Sequence, residues 1–213
     1  MSSLPLPEEF YQRPVVDVAR DLLGARLARR LNGQRIGGWI VETEAYMGES
    51  DLACHARAGR TPRTEVMYGP SGRAYVYFIY GMHWMFNVVT GTEGDPNAVL
   101  IRAILPDEGV DFIAERRSKR QVRPRDWTNG PARICQALEI DQRLNGVDLT
   151  DPGSELIIEA GEPVADAFVI TGPRVGIDSV PEPWRSKPWR WRIDTQNWDF
   201  TAGRSLTREN EGR

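Results

Sequence analysis

ARLARRLNGQRIGGWIVETEAY, residues 25–46, decides the fold. Two strand-like runs flank Asn32-Gly33, and Asn-Gly between such runs is the strongest short hairpin signal, because both residues accept the left-handed backbone of a two-residue turn. In a strand, alternate side chains share a face. Ile40, Glu42, Glu44 and Tyr46 are therefore expected on one side, and Val41, Thr43 and Ala45 on the other. Two glutamates in one row beside apolar residues have a plain reading as a solvent-facing row. They also have a chemical one, in which a carboxylate serves as general base or as half of an acid/base pair.

Outward from this hairpin, Pro14 opens and Gly24 closes a helix over about 15–23, whose apolar stripe is Val15, Val18, Leu22 and Leu23. Residues 47–73 form a loop too long for a mere connector, which marks it as functional. AYVYFIY and WMFNVVT read as strands joined at Gly81, and AVLIRAIL (98–105) as a further strand. Helices are expected at about 108–119 and 131–139, the second opening on Gly130-Pro131, with late strands at 156–160 and 168–172. Strands follow strands with few helices between them, so the expected class is α+β with a mainly antiparallel sheet and flanking helices. One domain spans 1–213, with its core at about 9–193 and a polar tail at about 201–213.

The chain has 213 residues, 40% hydrophobic and 27% charged, which suits a globular domain and excludes a disordered one. No run approaches a membrane span and the first residues lack a signal pattern, so no membrane partner and a cytoplasmic location are expected. Cys54 and Cys135 are the two cysteines and His55 and His83 the two histidines, which implies neither a disulfide framework nor a metal site. Net charge is −3, but residues 139–166 hold eight acids against Arg143 alone, leaving the remainder basic. Basic groups occur at 116–125 (Arg116, Arg117, Lys119, Arg120, Arg123, Arg125), at Arg57, Arg60, Arg63 and Arg73, and at Arg185, Lys187, Arg190 and Arg192 among tryptophans. A chain that is acidic overall can thus carry one basic face, and solvated charge runs are the plain alternative.

Several residues stand out chemically. Tyr75, Tyr77 and Ile79 share one strand face and Val76 and Phe78 the other, and most of this apolar run reads as ordinary core. Tyr80 falls at a hairpin tip, where polar residues are normal, and an aromatic there suggests a wedge into a partner protein or between stacked bases. Asn87 lies among apolar residues, so its amide either satisfies backbone groups or reads a ligand edge. Arg102, within VLIRAIL, calls for a carboxylate partner, for which Glu44 or Glu42 is placed. The loop HARAGRTPRT sets Arg57, Arg60 and Arg63 three residues apart, a spacing able to track a phosphate backbone. His83 reads as an exposed turn residue.

Taken in order, VETEAY (41–46), the His55–Arg63 loop, YVYFIYGM (75–82), Asn87, VLIRA (99–103), GPARICQALEI (130–140) and PRVGID (173–178) resemble the alkyladenine (3-methyladenine) DNA glycosylase family of base-excision repair. The resemblance covers roughly residues 9–193, and the ordered set is far more specific than any single string. It implies a curved antiparallel sheet with a protruding hairpin that wedges into double-stranded DNA containing damaged purines, and it implies no cofactor. By position it makes Glu44 the base that activates a water for attack on the deoxyribose C1′, and Arg102 the residue that helps hold that water. Tyr46, His55 and Tyr77 then stack the flipped base, Asn87 excludes guanine, Tyr80 fills the gap, and Met82, Arg57, Arg60, Thr61 and Arg63 contact DNA. The TGTEGDPN stretch (90–97) is slightly longer than the family pattern, and WRWRIDTQNWDF (189–200) is richer in tryptophan.

Strand-cleaving glycosylases use an amine nucleophile. Lys119, Lys187 and the Met1 amino group are the only amines and none falls in the motif set, so a monofunctional enzyme acting as a monomer is expected. Two other classes fit parts of the sequence. A non-catalytic binder of damaged DNA would use Tyr80 but not the Glu44/Arg102 pair. A hydrolase of free nucleosides would leave the wedge and basic loop without purpose.

Overall fold

Asn32 and Gly33 take φ of 52° and 77°, and the strands on either side, β1 (Arg26–Leu31) and β2 (Gln34–Met47), pair antiparallel from Leu31↔Gln34 outward. The turn chemistry thus sets the register of the first hairpin. The structure, a computed structural model, describes residues 4–118, 123, 126–196, 198, 199, 204 and 205. Lys119, Arg120 and Arg125 of the basic run lie outside the described residues, as does most of the 201–213 tail.

The remaining strands are β3 (Ala74–Ile79), β4 (His83–Thr90), β5 (Asn97–Glu108), β6 (Leu156–Glu159), β7 (Val169–Gly172) and β8 (Arg190–Ile193). With β1 and β2 they form one sheet in the order β3-β4-β5-β2-β1-β6, and β8 pairs with both β2 and β7. Every pairing is antiparallel. The short strands β9 (Trp198–Asp199) and β10 (Arg204–Ser205) pair with each other, so part of the stretch expected to fray sits in a ladder. Helices α1 (Glu8–Tyr11), α2 (Val15–Asp21), α3 (Val110–Ser118) and α4 (Pro131–Leu138) complete an α+β fold. Among the described residues no helix is long and apolar enough to cross a membrane.

The main core gathers the apolar stripe of α2 (Val15, Val18) and Leu22 just after it, Ile134, Ala137 and Leu138 of α4, and inward residues of β1 to β6. The Thr43 hydroxyl donates to Ala19 O at 2.6 Å, which ties α2 to β2. A second, smaller cluster forms from Cys54, Ala56, Met67 and Tyr68 of the long loop with Tyr75, Val89 and Ala98 of the sheet. The loop is therefore not an open excursion. Two short 3-10 turns, His55–Ala58 and Glu65–Tyr68, pack it down and build one wall of a cavity.

Three sequence expectations are corrected. The ladder between β2 and β5 slips at Val41 and slips back after Glu42, and Ile40 is wholly buried in the main core with Ala45 instead of continuing the glutamate row. His83 begins β4 and is half-buried, because the turn ends at Met82. The 185–192 group is not a free basic patch. Arg190–Ile193 is a strand, Trp191 is buried, Arg190 pairs with Glu42 at 3.3 Å and Arg185 with Glu182 at 2.8 Å. Arg73 pairs with Asp148 at 3.1 Å, Arg116 with Glu139 at 2.5 Å and Arg123 with Asp126 at 3.0 Å, so carboxylates answer much of the apparent basic surplus.

Candidate active site

The glutamate row reaches its chemistry through a pair of β-bulges. Glu42 faces Ala103 and Thr43 faces Ile101, which leaves Arg102 without a register partner on β2. Bulges re-aim side chains, and here the guanidinium turns toward both glutamates. Its Nε donates to Glu42 Oε1 at 3.0 Å and its Nη1 to Glu44 Oε2 at 3.2 Å.

Glu44 is fully buried, and its two oxygens take three donors: Arg102 and the Tyr46 hydroxyl (2.9 Å) on Oε2, and the Val175 backbone N–H (2.7 Å) on Oε1. An ionised carboxylate offers about four lone-pair sites, so one acceptor position remains open. Burial pushes this carboxyl above the usual carboxylate range. Arg102, the Val175 N–H and Tyr46 pull it back down, and Glu42 adds to the rise.

Beside this group lies a cavity of about 210 Å³, smaller than the roughly 300–1,000 Å³ of drug-sized ligand sites. That volume suits a single heterocycle. Tyr46, His55, Tyr75, Tyr77, Asn87 and Arg102 line it, and Tyr80 stands at its margin, 79% exposed. Glu44 is not part of the wall but sits behind three residues that are. His55 and Tyr77 meet edge to face with centroids 4.4 Å apart, and His55 Nδ1 shares a 3.0 Å hydrogen bond with the Tyr75 hydroxyl. Burial, then Arg63 and Arg57, lowers the His55 pKa to about 4, so the ring is neutral at neutral pH. The Cys54 thiol, pushed up to about 12 mainly by burial, stays protonated. Asn87 is buried and donates from Nδ2 to Tyr75 O at 3.2 Å, and it also lines the cavity.

The other sequence-selected residues lie outside the cavity. Met82 is 65% exposed next to Tyr80 at the hairpin tip. Arg57, Arg60 and Arg63 are exposed on the adjoining loop: Arg57 donates to Leu52 O, Arg60 pairs with Glu65, and Arg63 lies over the Tyr77 ring. Thr61 is half-buried and exchanges hydrogen bonds with Thr64 that hold the loop's shape. Lys187 lies between the Trp184 and Trp189 rings, with Nζ 4.2 and 4.1 Å from their centroids.

Sequence reasoning missed the support behind the site. Arg174 and Asp51 form a fully buried ion pair, with Arg174 Nη2 donating to Asp51 Oδ1 at 2.9 Å. Arg174 also donates to Ala45 O and Trp184 O, and its guanidinium stacks on Tyr46 and Trp189. Its neighbour Val175 supplies the N–H to Glu44. The only sequence signal was the PRVGID string, which gave no reason to join Arg174 to Asp51, 123 residues earlier.

The cavity is thus an aromatic slot about the size of one ring, with a buried carboxylate–arginine pair behind it. The sequence profile of the methylpurine-DNA glycosylase family matches residues 9–197, and the chain belongs to that family. It is 49% identical over 193 residues to a Myxococcus xanthus protein, covering 90% of this chain and 92% of that one. A Carboxydothermus hydrogenoformans protein is 51% identical over 174 residues (82% and 89% covered), and one from Desulfitobacterium hafniense is 46% identical over 196 (89% and 95%). All three bear the name "Putative 3-methyladenine DNA glycosylase". Membership makes the chain a DNA glycosylase, a hydrolase of N-glycosyl bonds that works on DNA in repair.

Proposed function

We propose that this glycosylase is monofunctional, excises alkylated or deaminated purines such as 3-methyladenine or hypoxanthine, and leaves an intact abasic site. The observation that carries the reading is Glu44, buried behind the wall of the cavity and held by three donors with one acceptor position free. A base inside a duplex cannot be reached and must be swung out, at a cost of a few kcal/mol. Tyr80, exposed on the hairpin tip, offsets that loss by filling the vacated stack. Tyr46, Tyr77 and neutral His55 then hold the base, and Asn87 rejects guanine by meeting its exocyclic amine.

Water on the free position of Glu44 gives up its proton as its oxygen bonds to C1′, and the purine departs with the electrons of the glycosidic bond. Arg102 keeps the carboxylate ionised and helps hold the water. Arg57, Arg60, Thr61 and Arg63 follow the phosphates beside the cavity, with Met82 next to the wedge. The Arg60–Glu65 pair is exposed and therefore weak enough for Arg60 to exchange to phosphate. The reading needs no cofactor and only one copy of the chain, working in the cytoplasm. Among the described residues no amine stands in the cavity wall, which supports hydrolysis without strand cleavage.

The test uses duplexes bearing one hypoxanthine or ethenoadenine, and methylated duplex DNA assayed for released bases, with wild type and Glu44→Gln. Base release by wild type, a loss of at least about 10²–10⁴-fold in the variant, and strand breaks only after alkali are expected. Wild-type-like release by Glu44→Gln would remove Glu44 from the chemistry. Breaks without alkali would end the monofunctional reading.

A further inference from the structure

The cavity has a charge behind one wall that the excision mechanism does not use. Tyr77 lines the base cavity on one side of the β3–β4 hairpin. It also lines a second concavity of about 270 Å³ on the other side, together with Arg63, Phe78 and Trp84. Arg63 lines the second concavity and is not in the lining of the base cavity; its guanidinium lies 5.2 Å from the Tyr77 ring centroid, and its charge reaches Tyr75 and His55, which do line that cavity. Its Nη2 donates to Phe78 O at 3.4 Å, which holds the head group there.

The other tyrosine wall is built differently in one respect. Arg174 sits 4.8 Å from the Tyr46 centroid and outside the cavity lining, but a buried Asp51 carboxylate neutralises it. Arg63 has no carboxylate within ion-pair distance among the described residues. One wall is thus backed by an ion pair and the other by a guanidinium that no described protein carboxylate neutralises.

An aromatic ring attracts a cation at either face through its quadrupole, but two cations on opposite faces of one ring repel each other. A purine made cationic by alkylation, stacked on Tyr77, would lie close enough to Arg63 to be repelled by it. A neutral purine would feel no such repulsion. Resting on the proposed excision of damaged purines, we infer that Arg63 is a specificity-determining residue that biases the site toward neutral lesions over cationic ones. The charges would be on the order of 9 Å apart. With an effective dielectric of about 20 and screening over a Debye length of about 8–10 Å, the repulsion is equivalent to about three- to twentyfold in relative excision. His55, whose pKa is about 4, is neutral, and the Arg102 guanidinium in the wall is answered by Glu42 and Glu44, so no second unanswered cation stands in the wall itself.

The test measures single-turnover excision of a cationic base, 7-methylguanine, and a neutral one, hypoxanthine, in the same duplex sequence. Wild type, Arg63→Gln and Arg63→Lys are compared. Arg63 is exposed, so these variants fold, and any lost phosphate contact lowers both rates together and cancels in their ratio. In Arg63→Gln the ratio of 7-methylguanine to hypoxanthine release should rise about three- to twentyfold, and Arg63→Lys should restore it toward wild type. An unchanged or falling ratio in Arg63→Gln, or a lysine variant that behaves like glutamine, overturns the inference and leaves the glycosylase reading standing. Failure of wild type to release either base overturns the proposed function and this inference with it.

Discussion

Replacing Asp51 with asparagine tests the buried support of the site directly. Asp51 accepts both Arg174 Nη atoms and the backbone N–H groups of Met47 (3.1 Å) and Ala53 (3.0 Å), and both members of the pair have no exposed side-chain surface. Asparagine keeps the shape but removes the charge and turns an N–H₂ group toward a donor. Arg174 would retain only the carbonyls of Ala45 (2.9 Å) and Trp184 (3.2 Å), with no anion. Breaking a buried pair in this way costs about 3–5 kcal/mol. At roughly 2–4 °C per kcal/mol for a chain of this size, the melting temperature should fall by about 6–20 °C. Urea unfolding followed by tryptophan fluorescence reads the change as a lower midpoint at constant slope. Because Arg174 positions the Val175 N–H on Glu44, the folded variant should also need a higher pH for excision. A stability loss below about 1 kcal/mol would refute the argument, since it would mean that the guanidinium finds solvent or another anion.

Two further outcomes follow from the same geometry. A catalytic Glu44 must be ionised, and burial raises its pKa, so excision should be present above that raised value and lost as pH falls through it. The acid limb of the single-turnover rate should lie above the ordinary glutamate value of about 4.3, and Arg102→Gln should move it higher still; a limb at or below the ordinary value contradicts the assignment. Tyr80 and Gly81, with φ of 55° and 65°, are the central residues of the turn closed by the Met82 N–H to Ile79 O at 3.2 Å, and its first central position favours asparagine. Tyr80→Asn should therefore stabilise the protein by about 1 kcal/mol while lowering excision from duplex DNA; a variant that is less stable and fully active would reverse the case for Tyr80 as a strained wedge.

Much of the fold was legible because its signals are short-range. The Asn32-Gly33 turn, the stripe of α2, Pro131 at the start of α4 and the alternation through β3 and β4 each depend on a few neighbouring residues. The expectation failed at Ile40 because a bulge changes the period without leaving a mark in the sequence. It failed at 190–193 because the WRWRI run alternates charge and indole, and its strand is defined by the partner strands β2 and β7. For the site, the residue types and their order were readable at Glu44, Tyr46, His55, Tyr77, Asn87 and Arg102. Tyr75 was read as core, yet it bonds His55 and lines the cavity.

The sequence alone determined the class of fold, the family resemblance and which side chains were worth watching, since turn preference, strand alternation and motif order are properties of local chain. Only the tertiary structure decided how those side chains are held. It set Glu44 behind the wall and not in it, aimed Arg102 through paired bulges, and brought the Val175 N–H to a carboxylate 131 residues away. It also joined Arg174 to Asp51 and placed Arg63 over the Tyr77 ring. Such contacts depend on which segments the folded sheet and its packed loop bring within a few ångströms, and residues so far apart in the chain carry no local trace of one another.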